Sequence, residues 1–114
     1  MTICDLWTVV VAPFPFVDSS HSKPRPCLVL SARPANAATG HSVCAMITRP
    51  LATRWPNDTA LQDWRGYGLP AASVVRWKLF TLENGIFKRV LAPLSSGDRR
   101  QCQAALSALL GNVE

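Results

Sequence analysis

Residues 94–111, LSSGDRRQCQAALSALLG, are where the hydrophobic period of the chain changes. Ser95 followed by Asp98 three positions later fits a capping box. Cys102, Leu106, Leu109 and Leu110 then recur at helical spacing until Gly111 supplies a stop. The pattern predicts one closing helix of about four turns at 1.5 Å rise per residue. Upstream the chain reads mostly as strand. Apolar, β-branched runs at Leu6–Ala12, Cys27–Ala32, Ser42–Thr48, Ala71–Phe80 and Phe87–Leu91 are separated by proline, glycine and polar residues. Asn84-Gly85, ahead of the fifth run, predicts a tight hairpin, since both residues tolerate positive φ. Antiparallel strands closed by one amphipathic helix predict a mainly β fold with a C-terminal helix, a small, partly open barrel flanked by that helix.

The 114 residues suit one domain, 1–114, large enough to fold without staples. Twelve Lys and Arg against seven Asp and Glu leave a net charge of +5, which favours an anionic partner: nucleic acid, an acidic protein or a membrane surface. The alternative is a merely basic surface. Cys4, Cys27, Cys44 and Cys102 form no C-x-x-C pair and have no histidine at ligand spacing, so no metal site is expected. They read as reduced thiols of a cytoplasmic chain. The apolar stretch Val9–Val17 is too short to span a bilayer and is broken by Pro13 and Pro15, so neither export nor membrane insertion is expected.

Residues 13–26, PFPFVDSSHSKPRP, bracket a polar loop with four prolines and hold Arg25 between two of them. Proline pushes the residue before it toward extended geometry, so Lys23 and Arg25 are both biased away from helix, and Arg25 is set to point in one direction.

The opening DLWTVVVAPFPF, the segment SKPRPCLVLS, the stretch ANAATG, the strand ending in Ile47-Thr48, the segment SVVRWKLFTL and the terminal LSSGD…LSALLG follow one another over nearly the whole chain. In that order they resemble the PemK/MazF family, toxins of type II toxin–antitoxin systems. The resemblance implies an SH3-like barrel of the CcdB/MazF kind and a two-fold homodimer. It also implies an acidic antitoxin lying across an RNA groove, and operator DNA reached only through that antitoxin. The implied activity is growth inhibition by a sequence-selective endoribonuclease that cuts single-stranded RNA without metal or cofactor. A 2′-hydroxyl attacks the adjacent phosphorus and leaves a cyclic phosphate and a free 5′-hydroxyl. Arg25 and Thr48 match the family's arginine after the first loop and its hydroxyl at the end of the third strand. His21 lies where some members place a histidine for proton transfer.

Those residue types suit that chemistry. Charge builds on the phosphoryl oxygens during cleavage, and a fixed guanidinium with a nearby hydroxyl stabilises it. An imidazole suits proton transfer near neutral pH. Each residue also has a plainer reading: Arg25 as an ion pair with Asp18, Thr48 as a β-branched strand residue serving a local turn, His21 as a solvated loop side chain.

Cations interleaved with aromatics at Arg54-Trp55, Trp64-Arg65 with Tyr67, and Arg76-Trp77-Lys78 fit RNA binding, in which phosphates are neutralised while bases stack. Lys23, Arg54, Trp55, Arg76 and Lys78 are the candidate RNA-binding residues, with Trp55 the first choice as a base platform. At Arg76-Trp77-Lys78 the sequence departs from family members that carry Arg, one residue, then Asp. The lysine puts a carboxylate mechanism there in doubt. It leaves open a non-catalytic protein on the same fold, either a gyrase-poisoning relative like CcdB or one that binds only RNA or antitoxin.

Overall fold

A computed structural model describes residues 2–13, 23–50 and 54–111 and lays the strand-forming runs side by side in one antiparallel sheet. In chain order the elements are β1 (Thr8–Pro13), β2 (Pro24–Val29), α1 (Arg33–Thr39), β3 (His41–Thr48), β4 (Thr59–Ala60), β5 (Val74–Glu83), β6 (Arg89–Pro93) and α2 (Ser96–Leu110). Across the sheet the order is β4-β5-β3-β2-β1-β6, a six-stranded half-barrel. The mainly β fold with a C-terminal helix is as expected.

Side chains alternate between the two faces of the sheet. One face carries Val9, Leu28, Ala45, Ile47, Val75 and Trp77, and α2 closes over it through the fully buried Cys102. The other carries Val10, Ala12, Cys27, Val29, Cys44 and Leu82. Leu106 packs at the edge of the first core, whereas Leu109 and Leu110, expected to share the apolar stripe, are exposed.

The start of α2 differs instructively from a full capping box. Ser95 Oγ accepts from the Asp98 backbone N–H, at 3.4 Å, but the Asp98 carboxylate does not return to the helix N-terminus. It accepts from the backbone N–H groups of Gln62 (2.9 Å) and Asp63 (3.1 Å) and from the Tyr67 hydroxyl (2.6 Å). Asp98 thereby ties the 61–69 segment to α2. Burial, then the hydrogen bond to Asp98, raises the Tyr67 pKa.

The tight hairpin expected at Asn84-Gly85 is not formed. Residues Asn84–Ile86 make a 3-10 turn, β5 pairs with β3 and β4, and β6 crosses to pair with β1. The reason lies in the Asn84 side chain, which is fully buried. It donates to Asn36 O (2.8 Å) and accepts from Ser42 Oγ (2.6 Å), so tertiary bonds hold the amide where a local turn was expected to use it. Helix α1, which supplies Asn36, stands in a stretch that reads as irregular. Its signals are Pro34 at the first turn and Gly40, at φ 74°, just past the end.

A candidate nucleic-acid interface at the open end of β2 and β3

The prolines around Arg25 act on the sheet. The Leu30 N–H donates to Val43 O at 2.8 Å, so even-numbered residues of this segment point their backbone nitrogens at β3. Pro24 and Pro26 stand on that side with no N–H to give. The ladder between β2 and β3 accordingly runs from Val29 opposite Cys44 to Cys27 opposite Met46 and stops. Continuing the register by two residues brings Arg25 opposite Thr48. Both line a cavity of about 380 Å³, with Pro26, Ile47, Arg49, Pro70, Ala71 and Ser73. Arg25 and Arg49 are exposed and Thr48 is half-buried. The Ser73 hydroxyl donates to Ala71 O at 2.8 Å, so its wall is locally held. No carboxylate is among the described residues that line it.

A second cavity, about 400 Å³, is lined by Pro50, Arg54, Asp58, Ala60 and Val74. Residues consecutive in sequence, Arg49 and Pro50 on one side and Ser73 and Val74 on the other, join the two. Beside it the 54–58 segment is fastened to β5. The Arg76 guanidinium donates from Nη2 to Asp58 Oδ2 at 2.9 Å and from Nε to Oδ1 at 3.3 Å, with side chains 13% and 16% exposed. These bonds raise the Arg76 pKa above its ordinary value. Asp58 also closes its own loop: its carboxylate accepts from Trp55 N (3.2 Å), and its N–H donates to Trp55 O (3.1 Å).

This arrangement leaves Trp55, 40% exposed, over β5, with Lys78 Nζ 5.6 Å from its ring centroid. Alternation along β5 puts Arg76 and Lys78 on the face of Phe80 and Leu82. Alternation along β2 and β3 puts Arg25 and Thr48 on that same face.

The structure thus groups Arg25 with Thr48; Arg54 lines the adjoining cavity, Arg76 is bound to Asp58 of its wall, and Lys78 lies against the Trp55 ring. Lys23 is exposed just before β2 and lines neither cavity. His21 lies outside the described residues. The other interleaved aromatics belong to the fold: Trp77 is buried with Nε1 donating to Thr59 Oγ1 at 3.0 Å, and Tyr67 is buried on Asp98. Among the described residues no cluster of three or more His, Cys, Asp or Glu could hold a metal ion. The four cysteines are unbridged and buried. Burial pushes the Cys102 thiol up to about 12. Arg49 and Asp58 escaped the sequence reading. Arg49-Pro50 repeats the cation-proline pattern of Lys23-Pro24 and Arg25-Pro26, which could have drawn attention to it.

The family profile described as PemK-like, MazF-like toxin of type II toxin-antitoxin system matches residues 5–110. The chain belongs to this family. No curated protein matches it. Solved structures share the PemK/MazF fold at low identity. A Deinococcus radiodurans MazE-MazF structure aligns with TM-score 0.76 and 22% identity over 98% of this chain and 100% of that one. A mycobacterial endoribonuclease in complex with its cognate antitoxin aligns with TM-score 0.74 and 18% identity, over 100% and 99%. Mycobacterium tuberculosis toxin MazF-mt6 aligns with TM-score 0.73 and 17% identity, over 94% and 99%. In this PemK/MazF chain the described residues include no helix long and apolar enough to cross a membrane.

Proposed function

We propose that this toxin is a metal-independent endoribonuclease that cleaves single-stranded RNA by 2′-hydroxyl attack, with the scissile phosphate in the Arg25–Thr48 cavity. The observation that carries the reading is the cavity itself, where the β2–β3 ladder ends and Arg25, Arg49 and Thr48 line one space with no carboxylate among its described residues. In the reaction the 2′-oxygen bonds to phosphorus as the bond from phosphorus to the 5′-oxygen breaks. The 2′ proton is lost, the 5′-oxygen gains one, and nothing is oxidised or reduced. Arg25 stabilises charge on the phosphoryl oxygens and Thr48 donates a hydrogen bond to them. His21 receives the 2′ proton. The neighbouring nucleotide stacks on Trp55, with Lys78, Arg54 and Lys23 neutralising the backbone and Arg76 holding the platform through Asp58.

The proposal includes a two-fold dimer, a cytoplasmic setting and an acidic antitoxin that competes for this basic surface. The family assignment and the complexes seen among the structural relatives support that partner. A second reading, RNA or antitoxin binding without cleavage, draws on Lys78, which stacks on Trp55 at a position where a carboxylate would serve acid–base chemistry. Incubating the purified chain with a long RNA in EDTA separates the two. Fragments ending in 2′,3′-cyclic phosphate and 5′-hydroxyl are expected; intact RNA that remains bound would establish the second reading.

A further inference from the structure

We infer that Arg49 is a second catalytic residue of this site, a guanidinium that binds the phosphoryl oxygens opposite Arg25. The inference rests on the ribonuclease reading above and adds a residue to it.

Four observations converge on Arg49. It lines the same 380 Å³ cavity as Arg25 and Thr48, reaching it from the end of β3 while Arg25 reaches it from β2. It precedes Pro50, as Arg25 precedes Pro26, so both arginines are biased to extended backbone by the same device. Three other arginines are engaged elsewhere: Arg33 by Asp5, Arg76 by Asp58 and Arg65 by the Trp64 ring. Neither ion pair among the described residues includes Arg49. Finally, among the described residues the cavity wall offers no carboxylate to neutralise Arg49, which leaves its guanidinium available to an anion.

The chemistry needs a second cation. As the 2′-oxygen attacks, the phosphoryl group gains negative charge shared by its two non-bridging oxygens. One guanidinium and one hydroxyl cover that charge incompletely. A planar fork from a second strand can take the remaining oxygen through paired N–H groups, a contact that strengthens as charge develops. This separates Arg49 from Arg54, which lines the neighbouring cavity, and from Lys78, which lies against Trp55; both hold the nucleotide without touching the reacting phosphate.

The test compares full-length wild type, Arg49→Gln, Arg49→Lys and Arg99→Gln on a long RNA in EDTA, separating kcat from KM, with thermal melts of each. Arg99 lines a different cleft, beside Asp5 and Leu6, and its variant controls for lost charge alone. Arg49→Gln should lower kcat by roughly 10²-fold, the effect of removing one oxyanion-type donor, with a far smaller change in KM. Arg49→Lys should recover part of the loss, because it keeps the charge and loses the fork. Arg99→Gln should leave kcat unchanged. A wild-type kcat in folded Arg49→Gln, or a loss confined to KM, overturns the inference while leaving the ribonuclease reading intact. If Arg49→Gln melts early, Arg49→Lys decides, with full kcat overturning the role and a partial loss supporting it. If wild type leaves the RNA uncut, the ribonuclease reading fails and Arg49 falls with it.

Discussion

Two regions of the half-barrel use the same residue types for opposite purposes. In the first turn of α2, Asp98 is 1% exposed and its oxygens accept from two backbone N–H groups and the Tyr67 hydroxyl. Both carboxylate oxygens have partners inside the protein, and the result is a joint between the helix and the 61–69 segment. At the open end of β2 and β3, two prolines withhold backbone donors, the ladder stops, and Arg25 and Arg49 line a cavity with no carboxylate among its described residues. Aromatics divide the same way. Tyr67 and Trp77 spend their polar atoms on Asp98 and Thr59, whereas Trp55 keeps an exposed ring beside Lys78. Burial and internal pairing consolidate the fold; interrupted pairing marks where a ligand can compete.

The comparison breaks most visibly at Asp98. Asp98→Ala strands three donors around a buried position, and since a hydrogen bond to a charged group contributes about 1.5–3 kcal/mol, a loss of at least ~3 kcal/mol is expected in urea denaturation. RNA cleavage per folded molecule should be unchanged. If Asp98→Ala is as stable as wild type, the joint is not where the fold is held.

The same joint makes an alkaline prediction. Burial raises the pKa values of Tyr67 and Cys102, Cys102 to about 12, so the unfolded chain releases these protons at lower pH than the folded one. Stability from these groups is complete below the unfolded values and is lost as pH rises through the folded ones. Melting temperature should therefore fall from about pH 9 upward, given the unperturbed thiol and phenol values of about 8.5 and 10. A flat profile to pH 11 would contradict the burial argument.

At the open end the effects should appear in binding. Trp55→Ala should weaken a short RNA made uncleavable by 2′-deoxy substitution by about 1–3 kcal/mol, the usual contribution of one base stacked on an aromatic ring. Stability should barely change. Unchanged affinity would remove Trp55 as a platform. The smallest effect belongs to Lys78: Lys78→Ala should reduce the slope of log affinity against log salt by roughly 0.7, one phosphate contact on a single strand. Identical slopes would mean that Lys78 only steadies the Trp55 ring.

Local pattern carried the fold as far as local pattern can. The helical period of 96–110 and the β-branched runs around Val9, Leu28 and Ala45 are visible one segment at a time, because each buries one face. Pairing is not visible that way. Asn84-Gly85 has the composition of a hairpin turn, yet the Asn84 amide is held by Asn36 and Ser42, far away in sequence, and β6 joins β1 instead. Helix α1 is short, and its buried face amounts to Asn36, which hydrophobic periodicity cannot register. In the candidate site, Arg25 and Thr48 were legible through family resemblance. Asp58 was not, since its value comes from Arg76, eighteen positions later. Arg49 gained meaning only once the register put it beside the end of the ladder.

The central claim, that the cavity at the end of the β2–β3 ladder is where RNA is cut, is tested most directly by the rate at which Arg25→Ala cleaves a long RNA in EDTA. Arg25 is exposed, so the variant should melt with wild type. Its cleavage should fall by roughly 10²- to 10³-fold while wild type leaves cyclic-phosphate ends. A folded Arg25→Ala chain that cuts RNA at the wild-type rate would contradict the account.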